Sequence, residues 1–585
     1  MDRRTLLALL LTAIVIVATP MLFPSPRRPA VDTAAVNADT TRRGAIPPAP
    51  AAQQPAESPG AARALARPAP TAAQTPVVRA ETTVVTTPRA SYAIASPGGA
   101  PVSVSLPQYA SLRAGATANA PVQLIESGDR LFHLRLTNGR DTIAFDSVAF
   151  RAQPVQRGPR AIVQPFTSVS TAAPITLTYT FPVDSFVVHV DGSIASATAG
   201  SWQLLVTLPT RIKSEEANLR DDITHLSVAY KRRADDVTSV NFRQLDTLTR
   251  ADTGAIRWIA ERNKYFIVVV VPERRGGAVD STFRAVQMRA GPRAGKDATA
   301  AHATGVLPAT DGRFAFTLFA GPQLWDHLRR TAPDLENVNP YGGWLHGVVQ
   351  PFSALAMRLL LWLHHTLNVS YGWVLVILGV VIRLLLWPLN QRAMRSSMVM
   401  QRLQPELQEI QQKYKNDPEK QREATMKLWQ QHGMSPFTPL MGCLPMLLPM
   451  PILFALYFAL TNTIELRGVP FLWLPDLSLR DPYFITPLFL GATMFLTSWI
   501  GMRGMPPNPQ SKMMAYVMPI MFTAIFWNFA SGVNLYYAVQ NVAALPQQWL
   551  LARERAAQAP LAARTEPAVG GNGARAGSGG GRRSR

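Results

Sequence analysis

The sequence is poor in the residues that most enzyme chemistry draws on. It holds one cysteine, Cys443, set in an apolar run, which excludes a disulfide framework and a cysteine-based zinc site. Charged residues make up only 16 % of 585 positions, and acids are the scarcer sign: 37 Asp+Glu against 58 Lys+Arg, a formal charge of +21. Such a balance suits an anionic partner. Much of the excess flanks apolar runs or sits in the tail Gly581-Arg582-Arg583-Ser584-Arg585, which favours lipid headgroups and ribosomal RNA. A phosphate loop is also lacking. Gly291-Pro292-Arg293-Ala294-Gly295-Lys296-Asp297 has too short a spacing, with Asp297 where Ser or Thr would stand. His133, His189 and His225 are scattered among strand-like segments without a partner motif. The expectation is therefore no enzyme, no cofactor and no metal.

Apolar residues, by contrast, reach 47 % and crowd into the second half of the chain, the mark of a membrane domain. Arg3 and Arg4 precede an uncharged stretch from Thr5 to Pro26, read as an N-terminal transmembrane anchor over 1–26 with its start in the cytoplasm. A cleaved signal peptide is the alternative, but the apolar core is long and no small-x-small site follows it. Residues 27–78 are rich in Ala, Pro, Thr and Gln. They offer too little apolar area to offset ordering, so a disordered linker is expected.

Over 79–332 the pattern turns to period two, as in Phe132-His133-Leu134-Arg135-Leu136 and Ile175-Thr176-Leu177-Thr178-Tyr179, with Phe266 to Val271 as a fully buried strand. Asn138-Gly139 and Asp191-Gly192 read as turns between strands. An all-β sandwich outside the membrane follows. Residues 343–367 are apolar but striped by His346, Gln350, Ser353 and His364, with Arg358 and His365 flanking. That pattern describes an interfacial amphipathic helix, a spanning segment being the alternative.

The remaining spans are expected at 369–389, 438–460, 485–502, 515–529 and 533–551. The periplasmic loop is 461–484, and the cytoplasmic segments are a helical hairpin over 390–437, a loop over 503–514 and a basic disordered tail over 552–585. Lys and Arg concentrate in the segments assigned to the inside, as the positive-inside bias requires.

Arg383 falls within a span, in Ile382-Arg383-Leu384-Leu385-Leu386-Trp387-Pro388. A cation there costs about 2.5–3.5 kcal/mol on insertion scales and needs water, a partner or a route to the interface. Snorkelling to the cytoplasmic face is the simpler account. Asn528, Asn534, Tyr536, Tyr537, Gln540 and Asn541 add polar groups in the last two spans, either as glue between helices or, with Arg383, as a hydrated groove. In the hairpin, Met400, Leu403, Leu407, Ile410 and Tyr414 repeat at 3-4-3-4 as a seam, and Asn416-Asp417-Pro418 breaks it. The hairpin serves either packing alone or reception of incoming chains.

Five separated motifs carry a family likeness: Arg383 to Leu389, Leu403-Gln404-Pro405, Gly442-Cys443-Leu444-Pro445 with Pro449-Met450-Pro451-Ile452 and Ala455-Leu456-Tyr457, Asp481-Pro482-Tyr483, and Ser531-Gly532-Val533-Asn534-Leu535-Tyr536-Tyr537. In this order they resemble the YidC/Oxa/Alb family of membrane protein insertases, over about residues 343–553, and the β-domain fits its Gram-negative form, where it resembles a mutarotase-like sandwich. The resemblance implies six transmembrane helices, five of them an insertase core with a hydrophilic groove open to the cytoplasm. It implies insertion and chaperoning of nascent membrane proteins in the bacterial inner membrane, alone or with the Sec translocon, without nucleotide hydrolysis. It implies both termini in the cytoplasm, and as further partners the signal recognition particle with its receptor, the ribosome and membrane lipid. It places the groove arginine at Arg383 and the paired tyrosines at Tyr536 and Tyr537. Two positions depart from the pattern: Pro449 stands for a common glutamine, and Gly379 for a groove threonine, whose polarity Asn534 is expected to replace. The main rival is a secondary transporter with Arg383 binding an anionic solute, which calls for an internal repeat that is not seen. A membrane-anchored sugar enzyme is the third reading.

Overall fold

The computed structural model describes residues 81–169, 174–195, 201–273, 282–291, 293–294, 297–310, 312–339, 341, 346–431, 450–503 and 509–562. The expected anchor, the linker, residues 438–449 with Cys443 and Pro449, and residues 563–585 of the expected tail lie outside these; residues 552–562, expected to begin that disordered tail, are helical.

From 82 to 322 every strand pairing is antiparallel. A four-stranded sheet comes first (Thr82–Thr86, Ser91–Ala95, Pro101–Ala110, Pro121–Gln123). A 15-stranded sheet follows and turns back on itself through the strand Arg250–Arg262. The first half of that strand pairs with Phe283–Ala290 and Ile259 to Arg262 pair with Phe266–Pro272; the register breaks between Thr253 and Ile256, around Gly254 at φ +133°. A bulge of this kind lets one strand serve two layers. The two arms meet in an aromatic core, with Phe132 edge-on to Phe316 at 5.7 Å.

Alternation in the sequence becomes alternation in burial. Leu134 and Leu136 face in while Arg135 is exposed, and Phe266 to Val270 are wholly buried. Asn138-Gly139 is a turn, its Asn138 Oδ1 accepting from the Arg140 and Asp141 amides at 2.9 and 2.7 Å. Asp191-Gly192 is not. Both lie inside the strand Val187–Ile194, and Gly192 sits opposite Phe314, whose ring a Cβ would meet at 2.0 Å. The glycine makes room for an aromatic neighbour rather than for a reversal of the chain.

Two short helices, α1 (Leu219–Thr224) and α2 (Trp325–Thr331), belong to the sandwich. Then come α3 (His346–Leu367), α4 (Tyr371–Arg402), α5 (Gln404–Lys413), α6 (Pro418–Gln431), α7 (Met450–Asn462), α8 (Ile485–Met502), α9 (Pro509–Phe526) and α10 (Ser531–Ala562). Among the described residues, Tyr371–Pro388 and Ile485–Met502 are long and apolar enough to cross a membrane, and Pro451–Asn462 and Ala515–Phe526 are shorter apolar helices. α10 packs on α4 and α8, α9 on α8, and α3 on α7.

The polar stripe on α3 is divided: His346, Arg358 and His365 are exposed, while Gln350, Ser353 and His364 turn to partners within the protein. Ser353 is buried and donates to the Ala455 carbonyl at 3.0 Å, Gln350 accepts from the Tyr341 amide at 3.0 Å, and His364 stacks on Tyr371 at 4.0 Å. Val348, Phe352, Leu355, Trp362 and Leu367 are its exposed large apolar side chains. Polar groups on an apolar helix seek partners within the protein, which accounts for the three that turn inward. The hairpin seam is also broken earlier than its 3-4-3-4 spacing suggests. α4 ends at Arg402 and α5 restarts with Pro405 in its first turn, leaving Leu403 buried at the joint and Leu407, Ile410 and Tyr414 half-buried.

Sandwich and helices interlock. Trp325 of α2 lies in the apolar cluster of the helices, with the guanidinium groups of Arg329 and Arg358 each 5.5 Å from its ring. Ile464, from the loop after α7, lies in the sandwich core. Three residues on, Arg467 donates from Nε to both Glu216 oxygens at 3.0 and 3.2 Å and from Nη2 to the Ala110 carbonyl at 2.9 Å. Their side chains are only 3 % and 6 % exposed. Burial pushes the Glu216 carboxyl up to about 7 against the pull of Arg467.

Candidate functional site in the helical bundle

Arg383 sits three turns into α4, half-buried, with Leu384 and Leu385 exposed beside it on the outer face. Its Nη2 donates to Gln547 Oε1 of α10 at 2.9 Å, and the Gln547 amide Nε2 donates to the Trp387 carbonyl at 3.2 Å. Gln547 is 1 % exposed. Arg383 Nε is enclosed with no hydrogen-bond partner among the described residues. One turn before Arg383, Gly379 lets the two helices close up: a Cβ there would lie 3.0 Å from Val539 Cγ1 and 3.5 Å from the Tyr536 carbonyl. The departure from threonine at this position thus buys helix contact, in place of polarity.

The other expected residues divide into two groups. Tyr536 is fully buried and its hydroxyl is hydrogen-bonded to the Gln540 amide. Tyr537 turns to α7 and donates to the Leu453 carbonyl at 2.8 Å. Asn534, also fully buried, donates to the Phe526 carbonyl at 3.1 Å and so closes the turn between α9 and α10, while its Oδ1 finds no partner among the described residues. Asn528 is exposed in that same turn. Asn541 reaches Thr493 Oγ1 of α8 at 3.5 Å. The structure brings Tyr536 and Gln540 together next to the helix contact that carries Arg383, and sets Asn528 and Asn534 at the far end of α10. Gln547, the partner of Arg383, was missed in the sequence. The available signal was its position seven residues after Gln540, which puts both on one face of α10.

A second feature lies between α8 and α9. A cleft of about 590 Å³ is lined by Leu488, Phe495, Pro519, Ile520 and Trp527 among others, and is almost wholly apolar. Gly491 lines it, and a Cβ there would meet Thr523 Oγ1 at 1.9 Å.

In the sandwich His133, His189 and His225 share no partner with one another. His133 bridges Asp146 and Asp129 at 2.8 and 3.2 Å, His189 meets Glu273 at 2.5 Å, and His225 bonds to the Asp221 carbonyl at 2.8 Å. The hydrogen bond to Asp129 holds His133 above its ordinary pKa, whereas burial lowers His225. They do not converge on one reacting centre.

A bundle of apolar helices with a half-buried arginine in one candidate span, joined to an all-antiparallel sandwich, is the architecture of a polytopic membrane protein with a large extramembrane domain. The family model for the 60Kd inner membrane protein matches residues 362–558, and that for the YidC periplasmic domain matches residues 82–355. The membrane protein insertase YidC of Geobacter metallireducens is 29 % identical over 94 % of this chain and 98 % of its own. The corresponding protein of Coxiella burnetii is 27 % identical over 85 % and 87 %, and that of Burkholderia multivorans 32 % over 64 % and 66 %. A crystal structure of an active YidC insertase with its first transmembrane domain resolved covers 81 % of this chain and 93 % of that one, at 19 % identity and a TM-score of 0.33. A galactose mutarotase-like protein from Lactobacillus casei covers 41 % and 100 %, at 9 % identity and a TM-score of 0.28. The chain belongs to the YidC family of inner-membrane insertases.

Proposed function

We propose that this protein inserts and helps fold nascent membrane proteins through a cytoplasm-open hydrophilic groove based on Arg383, without nucleotide hydrolysis and without enzymatic chemistry. The observation that carries the reading is the half-buried guanidinium whose described partner is a neutral amide. It presents positive charge inside the bilayer, where a polar or acidic flank of an incoming chain would otherwise meet only hydrocarbon. Tyr536 and Gln540 extend the polar surface, with Tyr537, Asn534 and Asn528 toward its periplasmic end. α9, Pro509–Phe526, has 18 residues, about 27 Å at 1.5 Å per residue against about 30 Å of hydrocarbon, and its start Gln510-Ser511-Lys512 is polar, so the apolar span is short and the bilayer thins beside the groove. The substrate's own apolar segment then leaves for lipid at about 0.8 kcal/mol per buried methylene, which supplies the drive.

In this reading the chain is multi-pass in the inner membrane, with both termini in the cytoplasm and the sandwich in the periplasm. The Sec translocon, the signal recognition particle with its receptor and the ribosome are its working partners, the last through the basic tail and the hairpin seam of Met400, Leu403, Leu407, Ile410 and Tyr414. The relatives' names give no support to the transporter reading. Purified protein in liposomes tests the core of this. Insertion of a small single-span substrate with an acidic flank, without nucleotide, is expected. Arg383→Lys should retain most activity and Arg383→Ala should lose about tenfold, near 1.4 kcal/mol. Equal rates for all three would leave Arg383 as a snorkelling side chain and remove the groove mechanism.

A further inference from the structure

We infer that Gln547 is the positioning residue of the groove arginine, holding Arg383 in place while leaving its charge uncancelled. The inference rests on the reading of Arg383 as the groove's cation. The amide is pinned at both ends: its Oε1 accepts from Arg383 Nη2 at 2.9 Å and its Nε2 donates to the Trp387 carbonyl at 3.2 Å. These partners fix which end of the amide is oxygen, because a guanidinium offers only donors and a carbonyl only accepts. Trp387 lies one turn beyond Arg383 on the same helix, so Gln547 ties the arginine's head to its own helix through α10. The side chain is 1 % exposed, and the site is therefore a fixed contact rather than a surface encounter.

Few side chains satisfy that geometry. An ionised glutamate would accept from Arg383 but has nothing to donate to the Trp387 carbonyl, and it would form an ion pair that cancels the field felt by a substrate flank. Methionine or leucine would offer neither bond and release the long arginine side chain toward the cytoplasmic interface. Among the described residues no carboxylate supplies the missing counter-charge at Arg383, in contrast to Arg467, which is buried at the junction with the sandwich against Glu216. A neutral donor–acceptor is what a charge-presenting site needs beside its cation.

The test reads a ratio, which does not depend on how much protein folds. Two single-span substrates differing only in an acidic or an uncharged flank are inserted into liposomes by wild type, Gln547→Glu, Gln547→Met and Arg383→Ala. Gln547→Glu should lower the acidic-to-uncharged ratio about tenfold, close to Arg383→Ala, and Gln547→Met about threefold. An unchanged ratio in both Gln547 variants, with Arg383→Ala still lowering it, overturns the positioning role alone. An unchanged ratio in Arg383→Ala instead overturns the groove reading beneath it. Equal loss on both substrates in the Gln547 variants would assign the residue to packing and also count against the inference.

Discussion

Arg467 and Arg383 enter the interior of the same unit and meet opposite surroundings. Arg467 is sealed between the sandwich and the helices, bound to both oxygens of Glu216, to a backbone carbonyl and over the Phe266 ring. Arg383 is half-buried among helices, holds a neutral amide and keeps one nitrogen unpaired among the described residues. The first has its charge matched by a buried carboxylate and hydrogen bonds from two of its nitrogens, which is how a buried cation becomes part of a scaffold. The second has its position fixed but its charge left over, which suits a site that acts on something passing by. Burial of a charge therefore does not by itself mark function; what pairs with it does.

The widest separation between the two should come from stability. Arg467→Met leaves Glu216 buried alone and is expected to cost about 3–5 kcal/mol, read as a drop in Tm in detergent, with Glu216→Leu/Arg467→Met recovering most of it. Without its counter-charge the Glu216 carboxyl rises further, so the folded state prefers the protonated acid. The single variant should accordingly lose stability as pH climbs through neutrality. A Tm equal to wild type would erase the distinction drawn here.

Next in size is a contact on the bundle side that uses shape instead of charge. Gly491→Ala drives a methyl group into Thr523 Oγ1 and should cost about 1–3 kcal/mol, relieved by a companion Thr523→Ala. If the single variant is as stable as wild type, α8 and α9 are not held at the distance described. Arg383→Met should change Tm by the equivalent of only about 1 kcal/mol, mainly through the unpaired Gln547 oxygen, while insertion of acidic-flank substrates falls. A stability loss as large as that of Arg467→Met would make Arg383 a scaffold residue too.

The smallest effect lies in the sandwich. His133 is held above 6.5 by Asp129, so its contribution is full below that pH and fades as pH rises through the raised value. Asp129, held below 3.8 by the hydrogen bonds from His133 and Thr210 despite burial, contributes above that pH and is lost in acid. His133→Ala should flatten the decline of Tm above pH 6.5. An unaltered profile would show that other groups set it.

Much of the fold was legible because the two solvents leave different periods. Period two in Ile175 to Tyr179 gave strands, and the long apolar runs gave α4 and α8. What escaped was decided by neighbours distant in sequence. Asp191-Gly192 carries a turn dipeptide, yet Phe314, more than a hundred residues later, needs the space that glycine leaves. The stripe on α3 has the right period for an amphipathic helix, but the period does not say which side faces lipid. At the site, Arg383, Tyr536 and Gln540 were visible as polar residues in apolar runs. Gln547 stood out less, because it lies near the expected end of the span 533–551, where polar residues are common, and its importance depends on a helix 160 positions earlier.

The most direct measurement asks what touches position 383. In a Cys443→Ser background, Arg383→Cys is treated in membrane vesicles with a charged, membrane-impermeant thiol reagent from either side. A wet pocket open to the inside predicts rapid modification in inverted vesicles and little in right-side-out ones. Modification only by a lipid-soluble reagent, from either side alike, would place the residue against hydrocarbon and contradict the account.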